Sequence, residues 1–199
     1  MLARFFKAFR IDERGTISIE LLIIVPMLTW ALISVIVYFD AFRAQYYSER
    51  ANETIADMIS REENAITAEF LDGADGVLRN LTDIDSNPEF RVTIVGYTLA
   101  DDSYRIIWSR GQGAGIDVDN VAAPIVDTST LPQLADGDHV ILFTTRVDYS
   151  APLDPGFGIF SGTGLSARVF ERTTVVAPRN VLLVCWDDDA DNATNPLVC

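Results

Sequence analysis

The sequence predicts an α+β protein in which one long N-terminal helix packs on an antiparallel β-sheet. The composition and three sequence patterns support this fold class. The chain of 199 residues is 49% hydrophobic yet carries a net charge of −14, so its apolar residues must be concentrated in one part of the chain. An apolar run covers residues 16–39, helical periodicity continues over 40–72, and alternating β-branched segments occupy much of 88–199.

Residues 16–39 have the composition of a transmembrane helix. Glu20 is the only charged side chain in this stretch. About 20 apolar residues cross a hydrocarbon core of about 30 Å, and this run reaches about 36 Å at 1.5 Å per residue. A conventional secretory signal has a shorter apolar core followed by a small-residue cleavage site, which is absent after this run. The sequence therefore predicts a single-pass membrane protein.

The charges on either side of the run predict its orientation. The leader, residues 1–15, has four basic and two acidic side chains, a net of +2, which leaves −16 for the remainder. Short basic flanks stay in the cytoplasm, so we expect a cytoplasmic N-terminus and an acidic domain outside the membrane. A domain of this charge repels nucleic acid and does not adhere to anionic lipid through charge alone.

The segment after the apolar run has the pattern of an amphipathic helix. Residues 40–72 contain no proline or glycine, and apolar residues recur between charged ones at helical spacing. We expect one helix of about 50 residues, ended by Asp72-Gly73 and Asp75-Gly76, whose apolar face covers the sheet. The positions assigned to that apolar face are Phe42, Tyr46, Ile55, Met58, Ile59, Ile66 and Phe70.

Residues 88–199 have the composition and the alternating pattern of a β-rich outer domain. Aromatic and β-branched residues alternate in four segments that turn-forming residues separate. The predicted strands are Phe90–Tyr97, Ser103–Arg110, His139–Tyr149 and Leu165–Val176. A final apolar run, Val181–Trp186, is compatible with a further strand.

A glycine and a glutamate at the start of the apolar run bear on function. Gly15 ends the basic leader, Thr16 begins the run, and Glu20 lies five positions after the glycine. A charged side chain inside a bilayer costs about 2.5–3.5 kcal/mol on insertion scales, and residues 16–39 contain no basic partner. Cleavage after Gly15 would give Thr16 a free ammonium group, which can pair with Glu20 of the same chain or of a neighbouring subunit.

These residues resemble the signal of type IV prepilins. In that family a basic leader ends in glycine, a glutamate follows at the fifth position, and a long apolar helix begins at once. The resemblance implies cleavage by prepilin peptidase between Gly15 and Thr16 on the cytoplasmic face of a bacterial inner membrane. It also implies that Glu20 acts in assembly and that the outer domain is periplasmic or is carried into an extracellular pilus.

A finer pattern is similar to the TadE/TadF group of tight-adherence pilus assembly proteins. Pro26 follows Glu20 by six residues, in Glu-Leu-Leu-Ile-Ile-Val-Pro. The later β region adds an aromatic-proline segment at 147–153, Leu165-Ser166-Ala167 and Ala177-Pro178-Arg179. The resemblance implies a structural role in pilus assembly and adhesion, without a cofactor. The implied partners are other pilin-like subunits, the assembly machinery, prepilin peptidase and membrane lipid.

Two departures from the family pattern bear on whether the chain resembles a major or a minor subunit. Thr16 stands where phenylalanine commonly follows the cut, and Leu21 stands where the very short major pilins of this system have tyrosine. An outer domain of more than 100 residues also differs from those short subunits. The sequence therefore favours a minor pilin or pseudopilin over the bulk filament subunit.

Pro26 lies inside the apolar helix and admits two interpretations. It removes one backbone hydrogen bond and crowds the carbonyl of residue 22, so we expect a kink. That bend either helps packing between subunits or is simply tolerated, as prolines are in membrane helices.

The two cysteines lie in the exported part of the chain. Cys185 and Cys199 are expected to form a disulfide because the extracytoplasmic space is oxidising; two buried free thiols are the alternative. The loop between them contains Asp187, Asp189 and Asp191, which are weak candidates for calcium ligands. The sequence lacks the glycine and glutamate of an EF-hand, so a solvated acidic loop is the simpler interpretation.

The remaining motifs do not predict an enzyme. His139 is the only histidine, and no serine-hydrolase, zinc or nucleotide signature accompanies it. The glycines of 111–115 lack the lysine of a phosphate-binding loop. The alternative to a pilin-like subunit is an unprocessed, membrane-anchored periplasmic binding or sensor domain, for which Glu20 would have no role.

Overall fold

The computed structural model describes residues 16–82, 88–113, 129, 131–151, 167–187 and 197–199. Helix α1 spans Thr16–Ser60 and helix α2 spans Ala68–Thr82. Four strands follow: β1 at Glu89–Thr98, β2 at Ser103–Gln112, β3 at His139–Ser150 and β4 at Ala167–Val176. The α+β class, with a long N-terminal helix and an antiparallel sheet, is confirmed.

The chain divides into two compact units. One contains α1 as far as Asp40, and the other contains the rest of α1, α2 and the sheet. The second unit, which we call the outer domain, has its own hydrophobic core.

The structure corrects the predicted extent of the helix over 40–72. α1 ends at Ser60, and α2 contains both Gly73 and Gly76, which were expected to stop a helix. The last turn of α1 tightens into bonds of the i,i+3 type, from Arg61 N to Met58 O at 3.2 Å and from Glu62 N to Ile59 O at 3.1 Å. The Ser60 carbonyl then accepts a bond from Arg179 N at 2.8 Å, which satisfies it outside the helix.

Thr67 starts helix α2, a role that was not predicted from the sequence. Thr67 accepts a hydrogen bond from Phe70 N through its hydroxyl oxygen, at 3.3 Å, in the position of an N-cap. Glu69 lies in the first turn and Arg79 in the last, as the helix dipole favours. The two glycines are tolerated because α2 buries Leu71, Ala74, Leu78 and Thr82 on another face.

The sheet is antiparallel throughout, in the order β2-β1-β3-β4. All four predicted strands are present with small differences at their ends. β1 and β2 form a hairpin with an irregularity between Ile94 and Val95. A Cβ at Gly111 would lie 2.4 Å from the Phe90 carbonyl, so glycine is required where these strands approach most closely.

The main core lies between the helices and one face of the sheet. Ile55, Ile59 and Leu78 from the helices are completely buried against aromatic and branched side chains of the strands. The sheet residues in this cluster are Phe90, Val92, Ile94, Trp108, Ile141 and Phe143. Burial of such side chains contributes about 1.5–3 kcal/mol each, which is why the helices and the sheet form one folding unit.

The opposite face of the sheet is also partly covered, by a second and smaller cluster. Val95, Val140 and Leu142 are buried there, and Leu131 and Leu134 pack against them. Two hydroxyl pairs, Thr93 with Ser109 and Thr144 with Thr173, bridge neighbouring strands on this face at 2.8 and 2.9 Å.

The run Val181–Trp186 does not form a strand. Only Trp186 has strand-like pairing, in isolated bridges to Ile66 and Val198. This segment nevertheless belongs to the core, since Val184 and Trp186 are 1% and 3% exposed. It contributes side chains to the core without extending the sheet.

Candidate functional site

The first part of α1 exposes an almost unbroken apolar surface. Large apolar side chains between residues 19 and 28 are each 48–74% exposed, and they are Ile19, Leu21, Leu22, Ile23, Ile24, Val25, Met27 and Leu28. Within the described part of the chain, α1 is the one helix long and apolar enough to cross a membrane. Such a surface is unfavourable in water and suits a helix surrounded by lipid or by other helices.

Glu20 interrupts this surface. Its side chain is exposed on α1, four residues after Thr16, where the helix begins. Among the described residues Glu20 makes no hydrogen bond or ion pair, and the nearest following basic residue in the sequence is Arg43. Gly15 lies outside the described residues, so of the residues predicted for processing and assembly the structure describes Thr16, as the start of α1, and Glu20.

Pro26 lies within α1, and the helix continues on both sides of it. One turn later, the Thr29 hydroxyl donates to the Val25 carbonyl at 2.8 Å. This bond from a threonine to the carbonyl four residues earlier satisfies the hydroxyl inside an apolar segment.

Cys185 and Cys199 form the expected disulfide, with their sulfur atoms 2.05 Å apart. The residues around it are bonded to the linker between the two helices. Ile66 N donates to Cys185 O and Asp187 N donates to Ile66 O, both at 2.9 Å. Trp186 and Val198 exchange two backbone hydrogen bonds of 2.9 Å. The disulfide therefore fastens residues 197–199 to a segment that is already bonded to the helical layer.

Trp108 and Trp186 connect this segment to the sheet. Their ring centroids lie 5.7 Å apart at an interplanar angle of 45°, and the indole N–H of Trp108 donates to the Val184 carbonyl at 2.8 Å. The Arg110 guanidinium lies 5.3 Å from the centroid of the Trp186 ring. The residue that follows Cys185, Trp186, is thus held against the sheet by an aromatic and a cation–π contact.

The candidate calcium ligands are only partly placed. Asp187 follows Trp186 at the edge of the core, whereas Asp189 and Asp191 lie outside the described residues. In the part of the chain that is described, no three His, Cys, Asp or Glu side chains are grouped as metal ligands. The calcium hypothesis therefore remains a sequence prediction.

Asn52 makes buried polar contacts with the sheet that were not predicted from the sequence. It is completely buried on α1, and its amide nitrogen lies 3.3 Å from Phe143 O, 2.9 Å from Thr145 Oγ1 and 3.0 Å from Arg172 O. One side chain thereby joins the helix to β3 and β4. An asparagine among small residues of a helical face was the available signal.

The face of α1 that meets the sheet differs from the prediction. Phe42 and Tyr46, assigned to the apolar inner face, are 67% and 51% exposed. The buried positions in this stretch are instead small or polar, and they are Ala44, Ser48, Ala51 and Asn52. Ala51 belongs to the main core and Asn52 bonds to the sheet, whereas the large aromatic rings of Phe42 and Tyr46 are exposed.

Arginines lie over the exposed aromatic rings. The Arg43 guanidinium is 5.3 Å from the centroid of Tyr47, and that of Arg50 is 4.9 Å from the centroid of Tyr46. The two tyrosine rings are 6.1 Å apart. We call Phe42, Arg43, Tyr46, Tyr47 and Arg50 the aromatic collar. Tyrosines and arginines spaced four residues apart on a helix are the sequence signal for it.

The β1–β2 hairpin carries an acidic group around one tyrosine. The Tyr97 hydroxyl donates to Asp102 Oδ1 at 2.6 Å, and Asp136 accepts a bond from Leu99 N at 2.8 Å. The bond to the Asp102 carboxylate, followed by burial and nearby negative charge, raises the pKa of Tyr97 above 10.0. His139 lies against Gly96, in a separate position at the start of β3. These contacts stabilise the hairpin and do not assemble a nucleophile with a base.

Comparison with known proteins adds no relative: no family model matches the chain, and searches of curated proteins and of solved structures found no match.

Proposed function

We propose that this protein is a minor pilin or pseudopilin-like structural subunit of a bacterial tight-adherence pilus. It is held in the inner membrane by the first part of α1, with a cytoplasmic N-terminus and a periplasmic outer domain. Prepilin peptidase cuts it between Gly15 and Thr16, and the processed helix packs laterally against other pilin-like subunits.

The observation that carries this proposal is Glu20. Its carboxylate is exposed on an apolar helix that has no basic residue between it and Arg43. In lipid an ionised carboxylate without a partner is costly, and a new ammonium group at Thr16 would supply a partner of opposite charge. Apolar helix packing supplies most of the association between subunits, and the carboxylate–ammonium pair sets their register.

Intact-mass analysis tests the processing step. The protein is extracted from membranes of cells with and without an active prepilin peptidase. We expect loss of residues 1–15 only when the peptidase is active. Full-length protein in both strains, while pili form normally, would contradict processing and favour the unprocessed binding or sensor domain.

Substitution of the glutamate tests the assembly step separately. Glu20→Ala and Glu20→Gln should reduce crosslinking to other pilin-like subunits and reduce piliation, whereas processing continues. Glu53→Ala is the matched control, because Glu53 is an exposed glutamate in the outer-domain part of the same helix. Normal piliation and crosslinking in both Glu20 variants would rule out the assembly role.

A further inference from the structure

We propose that the aromatic collar of α1 binds the headgroup layer of a phospholipid bilayer. The collar belongs to the outer domain and is formed by Phe42, Arg43, Tyr46, Tyr47 and Arg50. The inference adds a membrane contact outside the spanning segment and requires only that α1 crosses a bilayer. It does not depend on processing or on pilus assembly.

The first argument is the position of the collar in the sequence. Phe42 and Tyr46 follow the last residue of the apolar run, Phe39, by three and seven positions. On a continuous helix this corresponds to about 5 and 11 Å along the axis. The headgroup layer beyond the hydrocarbon core is about 5–7 Å thick on each side of a bilayer. Phe42 therefore falls within that layer, and Tyr46 is just beyond it.

The second argument is the direction of side chains on a helix. Each Cα–Cβ bond is tilted toward the helix N-terminus, so a long side chain covers the turn before its own Cα. For α1 this direction points toward the apolar run. The ring of Tyr46 is thereby shifted from its own Cα toward the headgroup layer.

The third argument is exposure on the face turned away from the core. Phe42 is 67% exposed and Tyr46 is 51% exposed, while Ala44, Ser48 and Ala51 of the same turns are buried. Water is an unfavourable environment for two large rings on one helix face. The headgroup layer suits tyrosine, because the ring lies in an apolar region while the hydroxyl stays hydrated.

The fourth argument is the chemistry of the two arginines. Arg43 and Arg50 lie over Tyr47 and Tyr46, with 5.3 and 4.9 Å between each guanidinium carbon and the ring centroid. The Arg50 guanidinium places a planar, positively charged group beside the Tyr46 ring, and groups of this kind pair with phosphate oxygens. The positive charge of the arginines and the negative charge of the phosphates make the collar and the headgroup layer complementary.

Depth-dependent quenching tests the proposal with the full-length protein. Single cysteines are introduced by Phe42→Cys, Tyr46→Cys, Leu32→Cys and Thr54→Cys and labelled with the fluorophore NBD without reductant, so that the native disulfide does not react. Each protein is reconstituted into phosphatidylcholine/phosphatidylglycerol vesicles containing lipids with a nitroxide near the headgroup or deep in the acyl chain. Leu32 reports the spanning segment, and Thr54 is an exposed outer-domain control on the same helix.

We expect the shallow nitroxide to quench the labels at 42 and 46 about twofold or more strongly than the label at 54. The label at 32 should respond mainly to the deep nitroxide. If 32 is quenched but 42 and 46 behave like 54, the collar proposal is overturned and the membrane span stands. If 32 is not quenched either, the span itself fails.

A second measurement separates lipid from another copy of the chain. The reconstitution is repeated over a range of protein-to-lipid ratios. Quenching at 42 and 46 should not change with protein density. Quenching that appears only in dilute vesicles and disappears as protein is added would assign this face to contact between copies and overturn the lipid assignment.

Discussion

At the scale of single residues, Asn52 does the most to fix the position of α1 on the sheet. Its amide is completely buried and lies within 3.3 Å of acceptors on both β3 and β4. Apolar packing alone lets a helix slide over a sheet, whereas a hydrogen bond has a defined length and direction. Asn52 therefore sets the register of the helix relative to the strands.

Replacing Asn52 should destabilise the outer domain. Asn52→Ala removes the amide N–H groups that lie near two buried acceptors on β3 and one half-buried acceptor on β4, and we expect a loss of about 1–3 kcal/mol in the free energy of unfolding. Urea unfolding in detergent, followed by the fluorescence of the buried tryptophans, measures it. Gln45→Ala is the control, because Gln45 lies on the same helix and bonds only on the exposed side, to Glu49. Equal midpoints for both variants would contradict the role of Asn52.

Tyr97 illustrates a local electrostatic effect at the same scale. Its pKa is raised above 10.0, first by the hydrogen bond to Asp102 and then by burial and neighbouring charge. The folded state thus favours the protonated phenol more than the unfolded state does. The resulting stabilisation is complete below pH 10 and is lost as the pH rises through the higher pKa of the folded protein.

The titration of Tyr97 can be followed by NMR of its ring carbon bearing the hydroxyl. Asp102→Asn should lower the pKa of Tyr97 toward its ordinary value, since the carboxylate that accepts the bond is removed. Asparagine tolerates the positive φ of 45° at this position, so the hairpin turn is preserved. Asp101→Asn, which affects the pair with Arg105, should leave the pKa of Tyr97 unchanged. An unchanged pKa in the Asp102 variant would refute this assignment.

At the scale of elements, the sequence predicts the strands well and the helix boundary poorly. Alternation of β-branched and aromatic residues locates β1 to β4 because each strand has at least one apolar face. The end of α1 at Ser60 depends on bonds to Arg179, which is 119 residues away and invisible to local periodicity. Thr67, the N-cap of α2, was not used in the prediction, which took the glycines of α2 as the end of one long helix.

The inner face of α1 was mispredicted for a related reason. Hydrophobicity ranks Phe42 and Tyr46 above Ala44 and Ser48, whereas the structure buries the two smaller side chains and exposes the aromatic rings. Of the candidate site, the disulfide followed from composition and compartment. Glu20 is placed on an exposed apolar helix, and its role in assembly remains a proposal.

Removal of the disulfide should lower the stability of the outer domain. Cys185 and Cys199 are 14 positions apart, and a closed loop of this size contributes about 3 kcal/mol in the chain-entropy description. Reductant should lower the urea midpoint of the outer domain accordingly. The double variant Cys185→Ser/Cys199→Ser should have the lower midpoint with or without reductant. A wild-type midpoint that reductant does not change would show that the bond adds no stability.

At the scale of the whole molecule, charge and hydropathy are separated along the chain. A basic leader precedes an apolar helix, and nearly all the acidic side chains follow it. This order predicts the direction of insertion, because basic flanks are retained in the cytoplasm. The disulfide fits the same direction, since the compartment beyond the membrane is oxidising.

Reporter fusions test this orientation. Alkaline phosphatase fused after residue 199 should be active, since its own disulfides form only outside the cytoplasm. A green fluorescent protein placed before residue 1 should fluoresce. As a control, the leader changes Arg4→Glu, Lys7→Glu and Arg10→Glu should weaken this orientation. An inactive phosphatase fusion in the unmodified protein would reverse the assigned topology.

The position of Val184 and Trp186 in the core has a consequence for biogenesis. These side chains pack with Ile66 and Trp108 in the core, yet ribosomes synthesise Trp186 120 residues after Ile66. In the proposed topology, the core of a nascent chain lacks these two side chains until they have crossed the membrane, so part of its apolar surface stays uncovered. We expect periplasmic chaperones to bind that intermediate, and quality-control proteases to remove chains that stop before residue 184.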